Sequence, residues 1–570
     1  MNWILLAAAL SALNYTEPVD TTTPNLKAWD ELAPGTYSSW VSKDVHYRQR
    51  ELPVGVNLNK ADTTVSAWRG ERLGLEALVA STKEVKNLTA RLSGWRDESG
   101  NTMAWPGSEA AIMRYVVTNR FNSCGRLPEG LPAYTVNDII DLPGSMADLR
   151  EREVRPVWVT VEVPRDAAPG VYSSELILSG DGKTLATMTI SINVLNRTLP
   201  APANQSFFLD LWQQPYSVSR TAGIAPWTAE HIEALRPYMK MLARAGQKSA
   251  TTILFYEPWG EQSNDKFEPM VATTRAKDGS WSYDYDVFDR YVELCDEYGI
   301  AEVIECFSMV PWEMRFRYFD EGKGEYKWLE AKAGSKEYEA LWDDFLKNFY
   351  AHLDEKGWRE RTLVAMDERG LKDMKEARRV AQNAVKDIKM SLAGDYHPDL
   401  EQDLDLYTLM IEDFFPADVL ARRRAEGKKS LLYTCCASPA PNMFSNSDPA
   451  DSAWLPVYAR AAGFDGFLHW SFMNWTDNPL EDSRFFLFAP GDTYFVYPDG
   501  RTSVRYERMV EGIQLSEKLR ILEQEALEYG NLKSYRKLQE AMLPVRTGAH
   551  TRYVTTARII NDLQRAANAR

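Results

Sequence analysis

The sequence has no excess of positive charge, and this narrows the range of partners. Its 66 Lys and Arg residues stand against 81 Asp and Glu residues, which gives a formal net charge of −15 and a pI near 5.2. No basic run longer than three residues occurs. Because binding to phosphates requires a basic face, this composition argues against a nucleic-acid partner.

Cysteine and histidine are also scarce. The five cysteines are an odd number without metal-ligand spacing, and there are six histidines. Cys435 and Cys436 are adjacent, which is poor geometry for a bond between them. We therefore expect neither a disulfide framework nor a metal site, and no cofactor.

Long apolar runs are missing beyond the N-terminus. The run from Trp3 to Leu13 is too short to span a bilayer and resembles the apolar region of a secretory signal, with Ala7-Ala8-Ala9 as a small-residue cleavage site. The missing Lys or Arg before it leaves an ordinary N-terminal segment as the alternative. We expect a secreted or periplasmic protein without stable membrane insertion.

Aromatic residues are abundant: 18 Trp, 27 Tyr and 21 Phe. They can simply fill cores. Indole faces also stack on the apolar C–H face of a pyranose ring, so the composition suits a sugar-binding protein as well.

Two patterns divide the chain. Up to about residue 200, short alternating strands such as 155–164, 170–178 and 185–195 are separated by Pro, Gly and Asp turns, as in a β-sandwich. Beyond about residue 200, apolar runs alternate with amphipathic helices. We predict a signal or N-terminal segment over 1–20, a β-sandwich over 21–200, a barrel over 201–515 and a helical extension over 516–570.

The second pattern contains eight strand candidates, each followed by room for a helix or a long loop. They are 206–212, 250–257, 301–308, 362–368, 387–394, 404–410, 430–438 and 464–472. Eight such repeats predict an α/β fold of the (β/α)8 TIM-barrel type. A doubly wound sheet is the alternative, but no GxGxxG follows the first strand.

The stretch TLVAMDERG, residues 362–370, carries the strongest candidate for chemistry. Asp-Glu occurs six times in the chain, but only Asp367-Glu368 directly follows a strand candidate. In a TIM barrel the active site lies at the carboxyl ends of the strands. The structural alternative is that Asp367 caps the next helix, with Glu368 in its first turn.

Three stretches together resemble glycoside hydrolase family 123. They are VTVEVPRDAAPGVY at the end of the sandwich, VAMDERG, and GFLHWSFMNW at strand eight. The resemblance implies a retaining exo-acting N-acetyl-β-galactosaminidase, which removes terminal β-linked N-acetylgalactosamine (GalNAc) from a glycan with help from the substrate's acetamide. It further implies that Asp367 binds and orients that acetamide, while Glu368 protonates the glycosidic oxygen and later activates water.

Rim position and residue type suggest the substrate contacts. We expect Trp470 or Trp475 to stack on the sugar, Tyr396 or Tyr433 to donate to the acetamide carbonyl, and Glu257 to accept from sugar hydroxyls. Two other functions stay open: a conventional two-carboxylate glycosidase with Glu257 or Glu305 as nucleophile, and a non-catalytic carbohydrate-binding protein. The sequence gives no oligomeric state.

Overall fold

A computed structural model describes residues 16–23, 25–548 and 555–569. The signal-peptide prediction at Trp3–Leu13 therefore lies outside the described residues. The chain forms two compact units. The first comprises the residues up to Gln205, Cys436–Ala462 and the chain from Thr476 onward, and the second comprises Ser206–Cys435 and Gly463–Trp475. The domain boundaries expected from the sequence stay predictions.

Two β-sheets form most of the first unit. The six-stranded sheet has the order β1 (Thr36–Val41), β3 (Arg72–Ser81), β10 (Glu153–Glu162), β7 (Glu109–Asn119), β8 (Ala133–Ile140), β25 (Thr502–Ser503). The other sheet has the order β2 (Asp62–Arg69), β12 (Lys183–Thr198), β11 (Gly170–Gly180), β4 (Val85–Leu92), β9 (Ala147–Leu149), with β5 (Trp95–Arg96) and β6 (Thr102–Met103) beside β11.

One hydrophobic core lies between these sheets. Inward-facing residues of both contribute to it, such as Val157 and Val159 from β10 and Leu176 and Leu178 from β11. Along β11 buried and more exposed residues alternate, because successive side chains of a strand face opposite ways. The predicted β-sandwich is confirmed. Its pairing is antiparallel except between β12 and β2, which run parallel.

Within the described residues, five helices and a disulfide complete the first unit. The helices are α1 (Leu26–Asp30), α8 (Pro449–Ala461), α9 (Val504–Glu528), α10 (Leu532–Arg546) and α11 (Thr556–Asn568). Helix α9 packs against β3 and β8. The sequence indicated no disulfide framework, but one disulfide forms: Cys124 and Cys436 are bonded, with their Cα atoms 5.1 Å apart. They are 312 residues apart in the chain, so only the fold brings them together.

Eight parallel strands form a nearly closed barrel in the second unit. Their order around it is β13 (Phe208–Leu211), β24 (Gly466–His469), β23 (Lys429–Tyr433), β22 (Leu406–Met410), β21 (Lys389–Ala393), β20 (Thr362–Met366), β17 (Val303–Phe307), β14 (Ser249–Ile253). A single bridge between Leu209 and Gln247 spans the remaining gap. The predicted barrel is confirmed, and each predicted strand segment overlaps one of these strands.

Six helices belong to the barrel unit: α2 (Pro215–Ala222), α3 (Ala229–Ala245), α4 (Asp286–Glu297), α5 (Lys336–Lys356), α6 (Leu371–Ala384) and α7 (Ala417–Ala425). The Thr228 side chain caps α3 by accepting the His231 N–H. No helix in the described part of the chain is both long and apolar enough to cross a membrane.

A small four-stranded sheet is inserted in the barrel unit, which the sequence did not predict. Its strands are β16 (Trp281–Asp284), β15 (Ala272–Arg275), β18 (Arg315–Asp320) and β19 (Glu325–Glu330), in that spatial order. β18 and β19 form a hairpin in the long connection between β17 and α5. This hairpin begins three residues after Trp312, which is a residue of the candidate active site.

Candidate active site

Asp367 lies at the mouth of the barrel. Leu363 and Ala365 of β20 belong to the core inside the barrel, and the two-residue period of a strand places Asp367 next on that inner face. The side chain is only 6 % exposed. A carboxyl group is thus held in a largely apolar interior at the end of strand four.

Glu368 reaches the same mouth although it is the next residue. The strand ends at Met366, and the Arg369 N–H donates to the Asp367 carbonyl over 2.6 Å, so the backbone has left regular strand geometry. The Glu368 side chain is exposed, and its Oε1 accepts a hydrogen bond from the Tyr433 hydroxyl of β23. Since Tyr433 belongs to the barrel core, this bond holds Glu368 at the barrel mouth.

Neither acid caps the helix that follows. Helix α6 begins at Leu371 with Gly370 at its N-cap position, and the Gly370 carbonyl accepts from the Asp373 and Met374 N–H groups. This excludes helix capping by Asp367 as the reason for the acidic pair, by which we mean Asp367 and Glu368.

Trp312 connects Asp367 to the inserted hairpin. Its indole Nε1 donates to Asp367 Oδ2 over 3.0 Å, and the Arg369 guanidinium lies 4.8 Å from its ring centroid. Asp367 Oδ1 has no hydrogen-bond partner among the described residues. One carboxylate oxygen is therefore fixed by an indole, and the other is buried without a hydrogen bond.

Burial governs the protonation of Asp367. It raises the pKa of this carboxyl to about 7, and the negative charge of Glu368 acts in the same direction. The Trp312 hydrogen bond, the Arg369 charge and the nearby Trp259 indole lower the pKa and only partly offset burial. Asp367 therefore changes charge near neutral pH.

Three tryptophans line a cleft at the barrel mouth: Trp212, Trp259 and Trp470, which we call the indole cleft. The rings of Trp212 and Trp259 stack with centroids 5.3 Å apart. Asn474 lines the same cleft; its Oδ1 accepts the Asn264 N–H, and its Nδ2 has no partner among the described residues. Apolar faces with a few polar groups are typical of a pocket for a small polar ligand.

A second pair of carboxyl groups is buried deeper in the barrel. Asp210 of β13 and Glu305 of β17 hydrogen-bond to each other, and Asp210 also accepts from the Trp212 indole and from the Ser249 hydroxyl. Burial raises the pKa of both, and the neighbouring Asp210 raises that of Glu305 further. Two carboxyl groups that share a hydrogen bond must hold a proton between them.

Comparison with known proteins assigns the family. The model of the glycoside hydrolase 123 catalytic domain matches residues 212–522, and that of the glycoside hydrolase 123 N-terminal domain matches residues 40–180. The chain belongs to glycoside hydrolase family 123. The resemblance noted in the sequence is confirmed, and the protein is a glycosidase by family. A comparison with curated protein sequences gave no match.

A solved structure has the same fold as this family 123 glycosidase. It is a family 123 glycoside hydrolase from Clostridium perfringens, studied for glycolipid glycan hydrolysis, with a TM-score of 0.82 and 24 % identity over 94 % of this chain and 97 % of that one. Similarity to a β-galactosidase from the psychrophilic Marinomonas ef1 is much weaker, with a TM-score of 0.33, 8 % identity, and 57 % and 60 % of the two chains covered.

The other residues suggested from the sequence lie in different surroundings within the family 123 barrel. Glu257 is half-buried; its carboxylate accepts the Phe267 N–H, and burial raises its pKa to about 7. Tyr396 packs against Tyr407 and Phe415, with ring centroids 6.3 and 5.5 Å away. Among the described residues, no hydrogen bond joins Glu257 or Tyr396 to the acidic pair.

The two tryptophans that were suggested to stack on the sugar lie in different surroundings. Trp470 lines the indole cleft. Trp475 is 0 % exposed, its ring packs edge-on against Tyr238 of α3, and its carbonyl accepts from Arg220. Trp475 therefore offers no face to a sugar, and its suggested stacking role is wrong for this structure.

Trp312 is the residue that the sequence did not single out. It comes four residues after the predicted third strand segment, in the connection that leads into the inserted hairpin. Only the position of a Trp shortly after a barrel strand could have signalled it. Within the described residues, no group of three or more His, Cys, Asp or Glu side chains is arranged to hold a metal ion.

Proposed function

We propose that this family 123 glycosidase is a retaining exo-β-N-acetylgalactosaminidase that uses substrate-assisted hydrolysis. The observation that carries the proposal is the acidic pair: two consecutive carboxylates, one buried and one exposed, held at one barrel mouth. Ordinary retaining glycosidases need a second carboxyl group ~5–5.5 Å from the acid to act as nucleophile, and substrate-assisted enzymes do not.

In the first step the acetamide oxygen of the bound sugar attacks C1. Glu368 transfers its proton to the glycosidic oxygen as the bond from C1 to that oxygen breaks, so the aglycone leaves as an alcohol. A bicyclic oxazolinium ion remains. Asp367 accepts the acetamide N–H with its unpartnered Oδ1 and, when ionised, stabilises the positive charge that develops on the ring.

In the second step water attacks C1 from the side that the aglycone has left. The Glu368 carboxylate removes a proton from this water, the bond from C1 to the acetamide oxygen breaks, and the free acetamide is restored. Two inversions at C1 give net retention of the anomeric configuration. Glu368 ends the cycle protonated, as it began.

The other acids near the mouth are less suited to act as a nucleophile. Glu305 is buried and shares a proton with Asp210, and a protonated carboxyl group is not nucleophilic. The Glu257 carboxylate is engaged by the Phe267 N–H. These surroundings favour the acetamide over an enzyme carboxylate as the attacking group.

The residues of the indole cleft suit a pyranose, although the cleft encloses only about 10 Å³, so its side chains must move apart to admit the ring. The Trp470 ring lines it and can stack on the C–H face of the sugar, while the free N–H₂ of Asn474 can donate to a sugar hydroxyl. Tyr433 donates to Glu368 and thereby orients the proposed acid. We propose a glycan with a terminal β-linked GalNAc as the substrate.

The experiment that tests this function is hydrolysis of 4-nitrophenyl β-GalNAc by the wild type, Asp367→Asn and Glu368→Gln. Each substitution is expected to lower kcat/KM by about 10²–10⁴-fold, because it removes charge stabilisation or proton transfer. Glu355→Gln is the matched control, since Glu355 belongs to an Asp-Glu dipeptide that lies on helix α5. Full activity in either acidic-pair variant would contradict the assigned roles.

We also propose that the protein is secreted or periplasmic. The Cys124–Cys436 disulfide supports this, because such bonds persist in oxidising compartments and are rare in the cytosol. N-terminal sequencing of the protein recovered from a native bacterial periplasm or medium tests it. Recovery from the cytosol alone, with the N-terminal apolar run intact, would contradict export.

A further inference from the structure

Most exposed aromatic side chains of the barrel unit lie in one stretch of the chain, which begins at Trp312 beside Asp367. Four large apolar side chains of the described part of this unit are strongly exposed: Trp312 (40 %), Tyr326 (63 %), Trp328 (38 %) and Phe414 (62 %). Three of them lie between residues 312 and 328. Large exposed apolar patches on soluble proteins often mark binding sites.

Two of these three rings share one face of the β18–β19 hairpin, which we call the aromatic hairpin. Arg317 pairs with Trp328, and Phe319 with Tyr326, so these four side chains point the same way. Phe316 points the opposite way, is buried, and packs against the barrel unit's own aromatic core. The hairpin is thus anchored by one face, and on the other face Tyr326 and Trp328 are exposed while Arg317 is mostly buried.

The exposed rings are held in fixed orientations. The Arg315 guanidinium lies 4.3 Å from the Trp328 centroid, and the Arg317 guanidinium lies 4.8 Å from that of Tyr326. Trp328 also packs edge-on against Tyr256, with centroids 5.6 Å apart. Rings held in this way lose little freedom when a ligand stacks on them.

The aromatic hairpin starts at the acidic pair. Trp312 donates to Asp367, its backbone N–H donates to the Pro258 carbonyl over 2.8 Å, and β18 begins three residues later. The base of the hairpin is closed beside it, because the Ala331 N–H donates to the Met314 carbonyl over 3.1 Å. The hairpin face from Arg315 to Phe319 extends ~13 Å, at ~3.3 Å per residue.

We propose that Trp328 and Tyr326 form a stacking platform for the sugar units on the reducing side of the scissile bond. This inference rests on the proposed exo-glycosidase function, in which one terminal sugar occupies the barrel mouth and the remaining saccharide extends past it. The occupant is a chain of pyranose rings. Their apolar C–H faces stack on the rings, and their hydroxyls accept from Arg315, which is half exposed.

Substrates of two lengths test the platform. One is 4-nitrophenyl β-GalNAc, and the other is an oligosaccharide with terminal β-GalNAc on at least two further sugars. The Trp328→Ala/Tyr326→Ala double variant is expected to lower kcat/KM for the oligosaccharide about tenfold, mainly through KM, while the nitrophenyl substrate is hydrolysed as before. Tyr529→Ala, which removes an exposed ring of the first unit, should leave both rates unchanged.

The outcomes separate the platform from the proposed function. An equal loss on both substrates, or no loss on either, would overturn the platform. If the wild type hydrolyses neither substrate, the proposed function fails. The platform is then judged by calorimetric binding of the oligosaccharide, where the double variant must bind about tenfold more weakly than the wild type. Equal binding would overturn the platform.

Discussion

At the scale of single residues, Asp367 and Glu368 show how neighbours in sequence can acquire different properties. Asp367 continues the inner face of β20 and is buried against Trp312, whereas Glu368 lies beyond the strand, exposed and bonded to Tyr433. The tight turn at Arg369 allows both side chains to reach one ligand from consecutive positions. The environments of the two acids therefore differ, and burial raises the pKa of the Asp367 carboxyl.

The raised pKa of Asp367 has a consequence for stability. In the unfolded chain an Asp titrates near ~3.9, and in the folded protein this one titrates at about 7. Between these values the folded state binds more protons, so this group's contribution to stability is present below about pH 4 and is lost as the pH rises through 7.

Asp367→Asn is therefore expected to stabilise the protein at pH 8 while it abolishes most activity. The amide oxygen can still accept from Trp312, and the cost of a buried charge, up to about 4 kcal/mol from a shift of ~3 pKa units, is removed. Thermal unfolding at pH 8 and pH 4 measures this. A higher Tm at pH 8 with little difference at pH 4 is expected, and a lower Tm at pH 8 would contradict the account.

At the scale of elements, the barrel strands hold two pairs of carboxyl groups at different depths in the barrel. Within the barrel Asp210 and Glu305 form the lower pair, and Trp212 joins it to the indole cleft through its bond to Asp210. The acidic pair stands above, after β20. Burial raises the pKa of both carboxyl groups of the lower pair, whereas Glu368 of the upper pair is exposed.

Glu305→Gln tests whether the lower pair of carboxyl groups takes part in catalysis as the acidic pair is proposed to do. A neutral amide can donate to Asp210 as the protonated carboxyl does, so kcat/KM for 4-nitrophenyl β-GalNAc is expected to stay within about tenfold of the wild type. The same change at Glu368 should cost far more. If Glu305→Gln were inactive although its melting temperature and circular dichroism matched the wild type, a conventional mechanism with Glu305 as nucleophile would be favoured.

Sequence reasoning worked where one physical rule dominated. Strands buried on both faces read as apolar runs, which is why all eight barrel strands could be predicted, and the carboxyl end of one of them identified Asp367. Prediction from the sequence failed where contacts between residues far apart in the chain determine the surroundings of a side chain. Trp475 looks like a rim residue but is buried against Tyr238, and the Trp312 bond to Asp367 depends on an inserted hairpin that no repeat announces.

At the scale of the whole molecule, the family assignment covers both units of the chain, and the chemistry is concentrated in one. The N-terminal family model spans 40–180 in the sandwich, and the catalytic model begins at 212 with the first barrel strand just before it. The acidic pair, the indole cleft and the aromatic hairpin all belong to the barrel unit. The central claim about this unit is that the substrate's own acetamide is the nucleophile.

Comparing kcat/KM for 4-nitrophenyl β-GalNAc and 4-nitrophenyl β-galactoside on the wild-type protein tests that claim most directly. The two sugars differ in the acetamide at C2, so the galactoside offers no internal nucleophile. We predict that the galactoside is hydrolysed at least ~10³-fold more slowly, because a correctly placed intramolecular group contributes several orders of magnitude. Comparable rates on the two substrates would contradict the substrate-assisted mechanism.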